Sequence, residues 1–123
     1  MAYKETNLAI RNAIAYFENW RRINMKRGDD VQFIDNHLLL LKAGIGTRAI
    51  NVLARGARYA DMPDEPLNLS TDDLLALLKQ IADGELDSVI LGLRNSGPKT
   101  LTEWKTGAER LVDRSAEYYA MYI

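Results

Sequence analysis

The chain has 123 residues, of which 47% are hydrophobic and 27% are charged, and its formal net charge at pH 7 is −1. These values are typical of one small globular domain spanning residues 1–123, and they exclude a disordered chain and a strongly basic one. With no cysteine in the sequence, a disulfide framework and a thiolate metal site are excluded as well. No apolar run approaches the length of a membrane span or a signal peptide, so we expect a cytoplasmic protein with no membrane partner.

Residues 1–44 are predicted to form N-terminal helices. Over 4–27 an apolar stripe recurs at helical spacing and consists of Ile10, Ala13, Ile14, Phe17 and Trp20. Gly28 is expected to end this helix, and Asp29 and Asp30 to cap a second helix over 31–42. The stripe either docks on the rest of the chain or forms a dimer or partner interface, so a homodimer is a possible state.

Residues 45–112 continue the helical pattern. Thr47 is a suitable N-cap for the next helix, and Ser70 with Asp73 resembles a capping box that opens a Leu-rich helix. Between them, two prolines and several acids predict an exposed loop over 57–69. A short helix over 86–93 and a final helix from Pro98 follow, with 113–123 as the end of that helix or a tail. No strand-like alternation occurs, so the predicted class is all-α.

The fifteen residues LGLRNSGPKTLTEWK, from Leu91 to Lys105, predict a helix-hairpin-helix. In this interpretation Gly97 adopts a positive φ in a tight turn, and Pro98 occupies the first position of the last helix. The turn's N–H groups and the helix N-terminus would then form a phosphate site beside Lys99. A plain helical turn ended by glycine is the alternative.

Two motifs in order extend this interpretation. TRAINVL (47–53) and RNSGPKTLTE (94–103) are separated by an acidic, Leu-rich stretch that includes STDDLLALL (70–78). Together they resemble the C-terminal domain of the bacterial RNA polymerase alpha subunit, whose motifs read (V/T)R(S/A)xNxL and RNxGxKSLxE. The resemblance covers roughly residues 38 to 112. It implies a compact helix-hairpin-helix domain, here with added N-terminal helices.

The resemblance also implies which residues contact DNA. The family arginine that matches Arg48 enters the minor groove of A·T-rich duplex DNA, and the asparagine that matches Asn51 makes a further contact. Gly97, Lys99 and Thr100 match other family DNA contacts, and Asn95 and Glu103 occupy adjacent matching positions. Each of these side chains could instead be an ordinary surface residue.

This sequence also departs from the family pattern. The spacing between the motifs is longer, with the excess in 57–69, and Pro98 stands where a basic residue is usual. Nothing upstream resembles the subunit's assembly domain. We therefore expect a free-standing relative, of a size and architecture that would suit a small bacterial or phage regulator.

Charge is unevenly distributed along the chain. Residues 61–88 contain eight acids and one lysine. The basic residues gather on the two motif segments and are Lys42, Arg48, Arg55, Arg58, Arg94, Lys99, Lys105 and Arg110. A basic face of this kind suits salt-sensitive contact with phosphates.

Two classes of function remain open. The first is a DNA-binding protein of transcription regulation that contacts duplex DNA; the second is a protein-interaction module that docks on RNA polymerase or a transcription factor without DNA. A repair or recombination accessory is a third possibility, because hairpin motifs are widespread. We expect no enzyme, cofactor or metal site, since His37 lies in no catalytic motif and the acids of 61–65 lack the spacing of a Ca²⁺ loop. Trp104, at helical spacing, is expected in the core.

Overall fold

The computed structural model describes residues 2–56 and 66–113, with side chains from Leu8 to Gly56 and from Pro66 to Val112. All regular structure in these ranges is helical, which confirms the predicted all-α class. No described helix is both long and apolar enough to cross a membrane. The elements are α1 (Ala2–Arg27), α2 (Gln32–Lys42), α3 (Thr47–Gly56), a 3₁₀ turn (Pro66–Asn68), α4 (Thr71–Ala82), α5 (Asp87–Leu91) and α6 (Pro98–Asp113).

Helix boundaries follow the local sequence signals closely. Gly28 has a φ of +77° just after α1, as expected for a glycine that ends a helix. The Ser70 hydroxyl accepts a hydrogen bond from the Asp73 N–H at 3.3 Å, which confirms the N-cap of α4. Asp30 accepts from the N–H of Gln32 at 2.9 Å at the start of α2.

The hydrophobic core lies between α2, α3, α4 and α6. Trp104 is fully buried at its centre, as its helical spacing predicted. Other side chains with essentially no exposure are Leu40, Leu41, Ile45, Ile50, Leu53, Leu74, Leu78, Ile81, Ile90 and Leu111. At roughly 1.5–3 kcal/mol for each large apolar side chain, burial of this set is the main stabilising contribution to the fold.

Two neighbouring residues of α6 hold the first turn of α3. The Trp104 indole Nε1–H donates to the Ala49 carbonyl at 2.9 Å. Glu103 Oε2 accepts from the Gly46 N–H at 2.6 Å, so it binds one of the donors that a helix N-terminus leaves unpaired. We call these two hydrogen bonds the α3 clamp. Because Gly46 directly precedes the helix, Thr47 is its first residue rather than its N-cap.

The N-terminal stripe docks within the chain, on α2. Ile10, Ala13, Ile14 and Phe17 are half-buried against the core. Polar contacts flank this packing: Lys42 pairs with Glu18 at 3.1 Å, and Arg21 pairs with Asp35. Trp20, which the stripe included, is 40% exposed and lies at its edge.

The prediction of an exposed loop over 57–69 is wrong for Pro66 and Leu67, whereas Asn68 is exposed and Leu69 is half-buried. Residues 57–65 lie outside the described part of the chain. Pro66 and Leu67 are buried in the 3₁₀ turn, and the carbonyls of Leu67 and Leu69 accept from Asn36 Nδ2 at 3.2 and 2.7 Å. The buried side-chain amide of Asn36 thus holds this segment against α2, although its prolines had predicted irregular structure. Residues 114–123, which were predicted to be the end of the last helix or a tail, also lie outside the described part of the chain.

His37 is a buried polar residue without a hydrogen-bond partner. Only 4% of it is exposed, and neither ring nitrogen is paired within the described structure. Its ring stacks on Phe17 with the centroids 4.1 Å apart. Burial lowers the pKa of His37 to about 4, because desolvation penalises the charged imidazolium.

This burial predicts a pH-dependent stability. Because the pKa of His37 falls from 6.5 in the unfolded chain to about 4 in the folded chain, the unfolded state binds more protons between these values. The contribution of His37 to the free energy of unfolding is therefore fully present above about pH 6.5, and it is lost progressively as the pH falls toward 4. Between pH 7 and pH 5 this side chain should lower the free energy of unfolding by about 2 kcal/mol.

Urea denaturation at the two pH values measures the effect. His37→Phe keeps an aromatic ring against Phe17 and should remove this part of the pH dependence. If the parent and the variant lose equal stability on acidification, His37 is not the titrating group.

Candidate nucleic-acid interface

One face of α3 forms a wall of an open groove. Arg48, Asn51, Val52 and Arg55 follow one another at i, i+3, i+4 and i+7, so that they share a helix face. The opposite wall is the turn after α5, which contributes Arg94 and Asn95. The groove has a volume of about 820 Å³ and is lined by Thr47, Arg48, Asn51, Val52, Arg55, Gly56, Arg94 and Asn95. Below it is called the arginine groove.

The turn between α5 and α6 differs from the predicted hairpin in one respect. Asn95 takes the left-handed conformation, with a φ of +64°, whereas Gly97 does not adopt a positive φ. Asparagine tolerates this region because its short side chain can hydrogen-bond locally. Gly97 instead precedes α6, and its carbonyl accepts from the Leu101 N–H at 3.1 Å. The expectation that Gly97 adopts the positive φ of this turn is therefore wrong, because Asn95 adopts it instead.

Close packing at Gly56 brings the two walls together. A Cβ atom on Gly56 would lie 2.6 Å from a terminal methyl carbon of Leu93, well inside van der Waals contact. Leu93 is itself buried. The absence of a side chain at the end of α3 therefore lets the turn that carries Arg94 and Asn95 approach the helix.

The arginine groove has an unbalanced positive charge. Arg48, Arg55 and Arg94 form no hydrogen bond or ion pair with another described residue, and none of the described residues that line the groove is acidic. Fixed cations that face a common space repel one another unless an anion enters. The charge of this groove therefore favours an anionic ligand over a neutral or cationic one.

Other basic residues of the predicted face are used within the protein. Lys105 pairs with Asp87 at 3.2 Å, and Arg110 donates to the Ala43 carbonyl at 2.8 Å. Lys42 pairs with Glu18, as described above, and Arg58 lies outside the described residues. Fewer residues of the predicted basic face are thus free to contact a ligand than the sequence indicated. Those that remain are the arginines of the groove and Lys99.

The structure brings together only part of the predicted site. Arg48, Asn51 and Asn95 line the arginine groove. Lys99 is exposed on the first turn of α6, with Gly97 and Thr100 half-buried beside it, and none of the three lines the groove.

Glu103 is used by the α3 clamp and acts as a structural acceptor. Arg55 and Arg94 line the groove but were absent from the predicted site. Helical spacing could have indicated Arg55, which stands seven residues after Arg48, whereas only the tertiary fold brings Arg94 to the groove.

No family model, curated protein or solved structure matches this chain. The case for a function therefore depends on the geometry of the groove. Within the described ranges, no group of three or more His, Asp or Glu side chains is placed to hold a metal ion.

The α3 clamp makes Glu103→Ala a test of the groove's support. We expect this substitution to lower the free energy of unfolding by about 1 kcal/mol, because the Gly46 N–H loses its acceptor at a helix N-terminus. Chemical denaturation measures the loss. Glu109→Ala, on the exposed side of the same helix, is the matched control and should stay within about 0.5 kcal/mol of the parent. Equal stability of all three proteins would show that the Glu103 hydrogen bond of the clamp contributes nothing.

Gly56→Ala tests the contact that closes the groove. A helical Gly→Ala change usually stabilises, by up to about 1 kcal/mol, but here the new methyl group must displace Leu93. We expect a net loss of about 1–3 kcal/mol, the usual cost of overpacking. Adding Leu93→Val should restore part of the loss, and a double-mutant cycle by urea denaturation measures this coupling. Additive effects would contradict the contact.

Proposed function

We propose that this protein binds duplex DNA through the arginine groove and acts in transcription regulation. The observation that carries the proposal is the meeting of three unpartnered arginines, Arg48, Arg55 and Arg94, from two elements in one open groove. A guanidinium presents a planar fork of donors that matches a phosphate group and keeps its charge at any physiological pH.

The spacing of the arginines favours a polyanion over a small anion. Arg48 and Arg55 are seven residues apart on α3, which corresponds to about 10 Å along the helix axis. A single phosphate cannot easily meet both side chains. A nucleic-acid strand presents a charge about every 3.4 Å along the duplex axis, so its phosphates can contact Arg55 and Arg94 while Arg48 contacts the same duplex elsewhere.

Within this proposal each residue of the site makes a different contact with DNA. Arg48, exposed near the start of α3, enters the minor groove of A·T-rich DNA, where negative potential is concentrated. Asn51 hydrogen-bonds a base edge or the backbone beside it, and Arg55 and Arg94 hold phosphates. Lys99 and the N-terminus of α6 form a second phosphate contact. The similarity of both motifs to the RNA polymerase alpha C-terminal domain supports these roles and the assignment to transcription.

A protein-interaction module is the second candidate. It is favoured by the net charge of −1 and by the exposed apolar side chains of the described surface, of which Tyr16 is 65% and Leu91 44% exposed. In this case the arginine groove would accept acidic side chains of RNA polymerase or of a transcription factor.

Single substitutions in the groove distinguish the two candidates. Arg48→Ala should weaken binding to A·T-rich duplex by about tenfold or more and reduce the preference over G·C-rich duplex. Arg55→Ala and Lys99→Ala should weaken binding to both duplexes equally. Each should also reduce the magnitude of the slope of log K against log [salt] by about 0.9, the value for one lost phosphate contact. Fluorescence anisotropy over a series of salt concentrations measures the affinity, the preference for A·T-rich duplex and the salt dependence.

Lys79→Ala is the matched control. Lys79 is exposed on α4 and does not line the groove, so its loss removes the same charge and should change DNA affinity less than twofold. Thermal stability of Arg48→Ala should stay within about 0.5 kcal/mol of the parent. Parent-like DNA binding by the groove variants, with loss of RNA polymerase in a pull-down, would support the interaction module instead.

A further inference from the structure

Helix α1 has a second apolar face besides the stripe that docks on α2. Tyr16, Trp20 and Ile23 follow one another at i, i+4 and i+7 and therefore lie along one side of the helix. They are 65%, 40% and 39% exposed. Trp20 and Ile23 are thus more than half covered, at the edge of the docked stripe, and Tyr16 is the most open of the three.

The two halves of this face differ in the size of their side chains. The C-terminal half has the bulky residues Trp20 and Ile23. The N-terminal half has the exposed small residues Ala9 and Asn12, which share the same side at helical spacing. Tyr16 lies midway between the two halves. None of these five residues carries a charge.

We propose that a second copy of this chain covers the face through antiparallel pairing of two α1 helices. With Tyr16 at the twofold axis, Ile23 of one copy meets Ala9 of the other, and Trp20 meets Asn12. Each bulky side chain then packs against a small one. Parallel pairing would place Trp20 against Trp20 and leave gaps between the alanines.

The charges also favour a second copy over nucleic acid. Two uncharged faces meet without like-charge repulsion, as a self-complementary twofold interface requires. A nucleic-acid strand would need cations among the aromatic rings, and between Ala9 and Ile23 this face has none; the next residue on the same side is Arg27, one turn beyond Ile23. The contact from Ala9 to Ile23 is about 21 Å long. Dimerisation is independent of the proposed function and would join two arginine grooves in one particle.

Cysteine pairing tests the register directly, because the natural chain has no cysteine. Tyr16→Cys should form a disulfide-linked dimer on mild oxidation, since a residue at the axis meets its own copy. Ala15→Cys, exposed and about 100° around the helix, should remain largely monomeric. Mixing Ala9→Cys with Ile23→Cys should give the mixed dimer at least several-fold in excess of either self-pair.

Light scattering over a concentration series gives the independent measurement. The parent should approach twice the 13.9 kDa monomer mass, and Tyr16→Glu should stay near 13.9 kDa with an unchanged helical circular-dichroism spectrum. A parent that remains monomeric, or equal crosslinking of Tyr16→Cys and Ala15→Cys, would overturn the proposal. So would a Tyr16→Glu variant that loses DNA binding with no change in mass, since nucleic acid would then occupy the face.

Discussion

The α3 clamp is the interaction on which the candidate site depends. Glu103 and Trp104 are neighbours on α6, and they bind the N–H of Gly46 and the carbonyl of Ala49. Arg48 lies between these two anchored residues. Because Trp104 is also at the centre of the core, the position of the first turn of α3 follows from core packing. A rigid support of this kind lets an exposed arginine keep its direction without partners of its own.

The second wall of the arginine groove is held by different physics. No described hydrogen bond joins Arg94 or Asn95 to α3; instead Leu93 packs against the bare backbone of Gly56. The left-handed conformation of Asn95 then redirects the chain toward α6. One wall is therefore positioned by directional hydrogen bonds and the other by steric fit, which is more easily changed by a single methyl group.

Sequence reasoning predicted the helices well, because periodicity and capping are local signals. Gly28, Ser70 and Pro98 stand at or beside helix boundaries where their chemistry placed them. Long-range contacts were not predictable in this way: Asn36 draws the segment at Leu67 inward across 31 residues. The same limit applies to the site. Arg48 and Asn51 were found by motif, whereas Arg94 joins them only through tertiary packing, and Lys42, Lys105 and Arg110 proved to be engaged internally.

The α3 clamp also bears on how the two motifs should be interpreted. TRAINVL and RNSGPKTLTE lie 40 residues apart in the chain, yet Glu103 of the second motif binds Gly46, the residue immediately before the first. Part of their joint occurrence therefore serves the folding of this chain, independently of any ligand. Among diverging copies of such a domain, Glu103 and Trp104 would be expected to be retained, because the backbone groups that they bind are supplied by almost any residue at positions 46 and 49. The arginines, which support nothing internally, would be free to vary with each new ligand.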